Sequence, residues 1–144
     1  MYLATRFVKP IFLRLEQAST DGSAVYDYPT ISVEHVCPRT LPDNSQWADW
    51  FSDPEEHSSW LHTLGNLVLL NFRKKSAARN FEFDVKNNQY FAPGDSSAFT
   101  LTNEVRSYST WTPSDIEERR EVLLRRLAKD WRLADVFENW WASE

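Results

Sequence analysis

Two short apolar runs constrain the fold of this chain more than any other feature. The first, residues 31–38, alternates apolar and polar side chains up to the pair Glu34-His35, and Pro38 follows. Period-two alternation predicts a strand, and a proline cannot continue a strand ladder, so the strand is expected to end there. The second run, residues 64–70, is a nearly continuous apolar stretch that contains a Gly-Asn pair. We expect the two runs to build a small hairpin.

Helical patterns surround these runs. Apolar residues recur at helical spacing over residues 3–18, and Pro10 inside that pattern predicts a kink or a restart. Capping sequences predict helices that begin after Asp53 and after Thr112, with Gly65 as a left-handed stop for the first of them. Further helices are expected at residues 46–51, 74–79, 82–89 and 134–141. The patterns predict an α+β fold, a mostly helical domain that encloses a two-stranded hairpin.

Composition narrows the class of protein. A chain of 144 residues with 42% apolar content is long enough for one domain with its own core. Its one cysteine, Cys37, excludes an internal disulfide and a cysteine-rich zinc site. With a single cysteine, a reduced cytosol is the simplest compartment, so the protein is expected to be cytoplasmic. We find no signal-peptide pattern and no apolar run near the ~20 residues that span a bilayer. The net charge of −5 predicts poor DNA binding by this chain alone.

The Glu-His pair and the Gly-Asn pair contain the residue types of a one-metal phosphodiesterase. Glu34 would be a hard oxygen ligand for Mg²⁺ or Mn²⁺, and His35 would be the base that deprotonates water. Asn66 would be a buried amide that bonds to backbone across the loop and holds the imidazole. The structural alternatives are a histidine that caps the strand end, a solvated carboxylate and an ordinary turn residue.

The order of five motifs resembles a known family. They are Glu34-His35-Val36-Cys37-Pro38, residues 64–70, Asn80, Phe83-Asp84-Val85-Lys86 and Trp111-Thr112-Pro113-Ser114-Asp115-Ile116-Glu117-Glu118-Arg119. This series is similar to the HNH (His-Me finger, ββα-metal) nucleases, and most closely to the C-terminal nuclease domain of GmrSD-type modification-dependent restriction systems. The resemblance spans residues 31–131.

The resemblance implies a single HNH-like domain over residues 1–144. It consists of a leading helix and loop (1–30), the ββα-metal motif (31–90) and C-terminal helices (91–144). It also implies DNA, possibly modified, as a partner. In that family the nuclease follows a larger domain that hydrolyses nucleotide and senses modification, so this chain is expected to be a C-terminal piece of a longer protein.

One position departs from the family pattern. Where the family has a metal-ligand Asn or His, this chain has Lys75, whose ammonium has donors only. Three explanations remain open: Asn71 or Asn80 reaches the metal, Lys75 holds the scissile phosphate, or the site has decayed. Residues expected to contact phosphate or DNA are Lys75, Arg79, Lys86 and Arg73. Asn80 and Lys86 match the family at positions that touch backbone or phosphate.

The remaining candidate residues are expected to be structural. His62 is interpreted as a packed, hydrogen-bonded imidazole, His57 as a surface residue, and Cys37 as a buried small side chain. Trp111 is expected in the core, as is one side of the Thr112 helix, with Ile116, Leu123, Leu124, Leu127 and Trp131. The sequence thus predicts a divalent-metal-dependent DNA endonuclease module of a restriction or phage-defence system. The alternatives are an inactive HNH-fold binding module and a purely structural helical module.

Overall fold

A computed structural model describes residues 5–20, 30–71, 80–89, 91 and 99–133. The helices are α1 (Thr5–Ser19), α2 (Gln46–Trp50), α3 (Pro54–Leu61), α4 (Phe83–Gln89), α5 (Thr100–Asn103) and α6 (Pro113–Asp130), and the strands are β1 (Ile31–His35) and β2 (Leu67–Asn71). Short 3-10 turns span Leu64–Asn66 and Glu104–Ser107. The predicted α+β fold, mostly helical around a two-stranded sheet, is confirmed. The helices expected at 74–79 and 134–141 lie outside the described residues.

The two strands form an antiparallel pair in which Ile31 is opposite Asn71 and His35 is opposite Leu67. Leu67 and Leu69 of β2 join one hydrophobic cluster, whereas Val68 and Leu70 join another. Because successive side chains of a strand point to opposite faces, β2 is buried on both faces. This explains why its sequence is a continuous apolar run rather than an alternating one.

The first cluster fills the space between the sheet, α1 and α6. It contains Val8, Phe12, Leu15, Ile31, Leu64, Leu67, Leu69, Phe99, Leu101, Leu123 and Leu127. Glu16 of α1 is fully buried beside this cluster, and its carboxylate accepts hydrogen bonds from the backbone N–H groups of Thr100 and Leu101. A helix N-terminus has unpaired N–H groups, so Glu16 caps α5 and attaches α1 to it.

The second cluster lies on the opposite face of the sheet. It contains Val36, Cys37, Trp47, Phe51, Val68, Leu70, Phe83, Phe91, Val105, Trp111 and Ile116. Trp111 is fully buried, as expected, and its ring stacks on Phe83 with centroids 5.5 Å apart. This aromatic cluster supports the chain where it leaves β1.

α1 continues through Pro10 without the restart that the sequence suggested. Pro10 has no backbone N–H, so the carbonyl group four residues earlier has no helical donor. Pro10 is exposed, and water can hydrate that carbonyl group. Among the described residues, no helix is both long enough and apolar enough to cross a membrane.

α6 begins with a complete capping box. The Thr112 hydroxyl accepts from the backbone N–H of Asp115, and the Asp115 carboxylate accepts from the Thr112 N–H, with Pro113 in the first turn. Ile116 is among the residues that this helix buries. The expectation that Trp131 belongs to the core is wrong: it lies just past the last helical residue and is 44% exposed.

Gly65 does not stop α3 as the sequence suggested. The helix ends at Leu61, with His62 as its C-cap, and Gly65 belongs to the following turn. A Cβ at Gly65 would overlap the backbone oxygen of Ile116 in α6. Glycine is therefore needed here for a close approach between two backbones.

Candidate active site

The end of β1 opens onto a cleft of about 480 Å³. Its lining comprises Val33, Glu34, His35, Pro38, Arg39, Thr40 and Asn80. Glu34 is 7% exposed and His35 is half-buried, so the carboxylate is held among protein groups while the imidazole has more contact with solvent. Adjacent residues of a strand point to opposite faces, yet Glu34 and His35 both line this cleft. The cleft lies at the end of β1, where the strand pattern stops.

Asn66 connects the turn before β2 to the chain after β1. Its side-chain oxygen accepts from the backbone N–H of Cys37 at 2.8 Å and from the indole N–H of Trp111 at 3.0 Å. Its amide N–H₂ donates to the carbonyl groups of Cys37 at 3.1 Å and Leu61 at 2.9 Å. These are the cross-loop backbone bonds that the sequence predicts. Asn66 is fully buried and its amide is fully engaged, so it supports the site rather than facing the cleft.

Lys86, which the sequence places in contact with backbone or phosphate, is turned toward the backbone at the end of β1. It is fully buried, and its ammonium donates to the carbonyl oxygens of His35 at 3.0 Å and Val36 at 2.9 Å. Burial lowers the pKa of Lys86 to about 8, and attraction to the Glu34 and Cys37 side chains opposes that shift. Of the two contacts predicted from the sequence, backbone or phosphate, the structure has the backbone contact.

His62 lies closer to the site than its interpretation as a packed imidazole suggested. Its Nδ1 is 3.1 Å from Nε2 of His35, and the two rings meet edge to face with centroids 5.1 Å apart. Partial burial, the Arg39 charge and His57 lower the pKa of His62, so its neutral form is favoured near pH 7. Its only sequence signal was its place just before the Leu-Gly-Asn motif.

His57 is buried, not a surface residue as expected. Its Nε2 donates to the Pro38 carbonyl at 2.9 Å, and its ring meets Phe51 edge to face. It therefore supports the loop that follows β1. Cys37 is buried as predicted, and burial raises its thiol pKa to about 12, which makes it a poor nucleophile.

Arg39 and Thr40 are cleft residues that the sequence analysis missed. Both are exposed, and Arg39 forms no salt bridge with any residue that the structure describes. Their signal was positional, since they directly follow the Glu-His-x-x-Pro motif.

The asparagines expected to hold a metal separate into two groups. Asn80 lines the cleft with Glu34. Asn71 is opposite Ile31, three residues along β2 from the partner of Glu34, or roughly 10 Å, and it points to the other face. The register therefore does not bring Asn71 to Glu34, whereas Asn80 borders the same cleft as Glu34. Lys75, Arg79 and Arg73 lie outside the described residues.

The comparison with known proteins agrees with this arrangement. The family model described as "GmrSD restriction endonucleases, C-terminal domain" matches residues 3–126 of the 144. No curated protein matches the chain. The matched part contains both strands, Asn66, the cleft and most of α6. The chain therefore belongs to the family of C-terminal domains of GmrSD restriction endonucleases.

Proposed function

We propose that this chain is the metal-dependent DNA endonuclease module, of HNH type, of a restriction or phage-defence protein. One observation carries the proposal. Glu34 and His35 line a single cleft, and the buried Asn66 side chain holds the backbone of Cys37, two residues after His35. A purely structural module would not require these three residues to converge. Membership in a restriction-endonuclease family supports the same reading.

His35 is the base in this proposal. Phosphodiester hydrolysis needs a water that loses a proton, and an imidazole titrates near neutral pH. The His35 backbone is held by β2 on one side and by the Lys86 ammonium on the other. A base fixed in this way meets water and phosphate in one orientation, which lowers the entropic cost of the reaction.

The oxygen donors around the cleft fit a hard divalent ion. Glu34 supplies a carboxylate and Asn80 an amide, and oxygen ligands of this kind suit Mg²⁺ and Mn²⁺. Mg²⁺ is commonly bound by one or two carboxylates and keeps several waters. When bound, Mg²⁺ or Mn²⁺ would neutralise charge that develops on the phosphate and the leaving oxygen.

Arg39 is the described cation best placed to hold the phosphate that is cleaved. Its guanidinium can bind two phosphate oxygens at once, and it borders the same cleft as His35. Arg73, Lys75 and Arg79 remain proposed DNA contacts from the sequence. The overall charge of −5 implies that binding to longer DNA depends on another part of the protein, in keeping with a nuclease module joined to a modification-sensing domain.

Supercoiled plasmid tests the proposal. Purified protein with Mg²⁺ or Mn²⁺ should nick or linearise it, and excess EDTA should stop the reaction. His35→Ala should lower the rate by at least about 100-fold, the lower end for removing an acid–base group. Glu34→Gln should also lower the rate, because it removes the charged ligand of the ion. Arg39→Ala should also lower the rate, whereas the exposed Arg106→Ala and Glu55→Gln should leave it unchanged. Cleavage by His35→Ala at the wild-type rate would refute the proposed base.

Lys75 favours a second candidate, an inactive HNH-fold module that binds nucleic acid or a protein partner. In the sequence, Lys75 stands where the family has a metal-ligand Asn or His, and an ammonium has hydrogen-bond donors only. This candidate predicts that folded wild-type protein never cuts DNA with either ion, and that His35→Ala leaves its binding unchanged.

A further inference from the structure

We infer that His62 is a positioning residue for the His35 base: its Nδ1 accepts the Nε2 proton of His35 and so keeps the lone pair of His35 on Nδ1. The inference rests on the proposed nuclease function. Its geometric basis is the 3.1 Å separation of the two nitrogens and the edge-to-face approach of the rings. A separation of 3.1 Å is that of a hydrogen bond, in which one imidazole donates its N–H and the other accepts it.

The fold holds both imidazoles in place through the same buried amide. His62 is the C-cap of α3, and its backbone N–H donates to Trp60. Asn66 binds the carbonyl of Leu61, one residue before His62, and also both backbone groups of Cys37, two residues after His35. One side chain thus fixes the distance between the two segments that carry the histidines. The contact between the rings is built into the fold.

The direction of this hydrogen bond decides whether His35 can be a base through Nδ1. In a neutral imidazole one nitrogen donates and the other accepts. If His35 donates from Nε2, Nδ1 has the lone pair that removes a proton from water. If His62 donated instead, Nε2 of His35 would be the acceptor, and Nδ1 would already carry a proton.

A hydrogen bond from His35 to His62 also stabilises His35 after it has taken the proton from water. Water gives its proton to Nδ1 of His35, the hydroxide forms a bond to phosphorus, and the bond to the leaving oxygen breaks as that oxygen takes a proton from solvent. The resulting imidazolium of His35 still donates from Nε2 to a neutral acceptor. Partial burial, the Arg39 charge and His57 all lower the pKa of His62, which disfavours a second positive ring beside His35. This parallels the orienting partner of histidine in hydrolase triads.

Two substitutions of similar size distinguish a His62 that accepts a hydrogen bond from a His62 that only fills space. In His62→Asn, the amide oxygen can occupy nearly the position of Nδ1 and accept the proton, whereas His62→Leu fills the space without an acceptor. We expect His62→Leu to lower kcat by about 10- to 100-fold, as losses of orienting partners do, with KM for plasmid unchanged. His62→Asn should recover most of that loss. Equal kcat values for wild type and His62→Leu, or no recovery with His62→Asn, would overturn the inference.

Nitrogen-15 NMR of the imidazole rings tests the inference without cleavage. The chain has three histidines, so spectra of His35→Ala and His57→Ala suffice to assign the signals. Wild-type His35 should be protonated at Nε2 and unprotonated at Nδ1, and His62→Leu should shift it toward a tautomer mixture. A wild-type His35 protonated at Nδ1 would overturn the inference, even if plasmid cleavage supported the proposed function. Absence of cleavage with the expected spectrum would refute the nuclease function alone.

Discussion

At the scale of single residues, Lys86 holds the backbone of His35 and Val36 at the cost of burying an ammonium. Its pKa is about 8 in the folded protein, against an ordinary value of 10.5. Between pH 8 and pH 10.5, Lys86 still binds its proton in the unfolded chain but has lost it in the folded chain. Stability must therefore rise with pH over this window, by about 3 kcal/mol in all for this one group.

Replacing Lys86 with Met should remove this pH dependence. The difference in free energy of unfolding, wild type minus Lys86→Met, should grow by about 1 kcal/mol between pH 8 and 9. Urea denaturation of both proteins at several pH values measures it. The difference is needed because Cys37, whose folded pKa is about 12 against 9.0, lowers the stability of both proteins above pH 9. Parallel stability curves from pH 7 to 10 would contradict a depressed Lys86 pKa.

At the scale of elements, the two strands were readable from the sequence because their signals are local, whereas their pairing across residues 36–66 followed from the resemblance to HNH nucleases. Alternation marked β1, a continuous apolar run marked β2, and a Gly-Asn pair marked the turn before β2. The capping box of α6 was readable for the same reason. The pairing of Asn66 with Trp111 was not, because those residues are brought together only by the fold.

Two of the misread residues, His57 and Lys86, have surroundings set by distant segments, and the third, Trp131, lies where the helix has already ended. His57 has polar neighbours in sequence, but Pro38 and Phe51 cover it. Lys86 carries a charge typical of a surface helix, yet it is enclosed where β1 ends. Trp131 continues the apolar spacing of α6 but lies beyond the end of the helix. Periodicity alone could not reveal any of these three environments.

The contact between α6 and the turn before β2 depends on Gly65. The Arg119 guanidinium is buried and donates to the carbonyl groups of Gly65 at 2.7 Å and Leu67 at 2.9 Å. A methyl group at Gly65 would meet the backbone of Ile116, which cannot move without shifting the helix. Gly65→Ala should therefore lower the free energy of unfolding by about 3 kcal/mol, the upper range for overpacking.

Urea denaturation measures the Gly65→Ala effect. Ser114→Ala is the matched control, since it changes an exposed side chain at the start of the same helix and should leave stability unchanged. An unaltered midpoint for Gly65→Ala would mean that α6 is not held closely against the turn.

At the scale of the whole molecule, β2 couples the two hydrophobic clusters. The first cluster joins α1 to the sheet, and the second supports the cleft. Leu69 belongs to the first and Val68 to the second, so neither cluster can lose its packing without disturbing the strand they share. A substitution in the first cluster, far from the cleft, is therefore expected to destabilise the second cluster as well.

Phe12 provides the test, since it is fully buried in the first cluster. Phe12→Ala should cost about 3–5 kcal/mol and Phe12→Leu less, while Phe7→Ala, at a half-exposed position of the same helix, should cost little. Four of the seven tryptophans, Trp47, Trp50, Trp60 and Trp111, lie in or against the second cluster, so fluorescence follows mainly this cluster. Far-UV circular dichroism follows the whole chain. In Phe12→Leu both signals should change at the same, lower denaturant concentration, because a shared strand makes unfolding cooperative. If the fluorescence midpoint stayed at the wild-type value while the dichroism midpoint fell, the clusters would be independent and the coupling through β2 would be disproved.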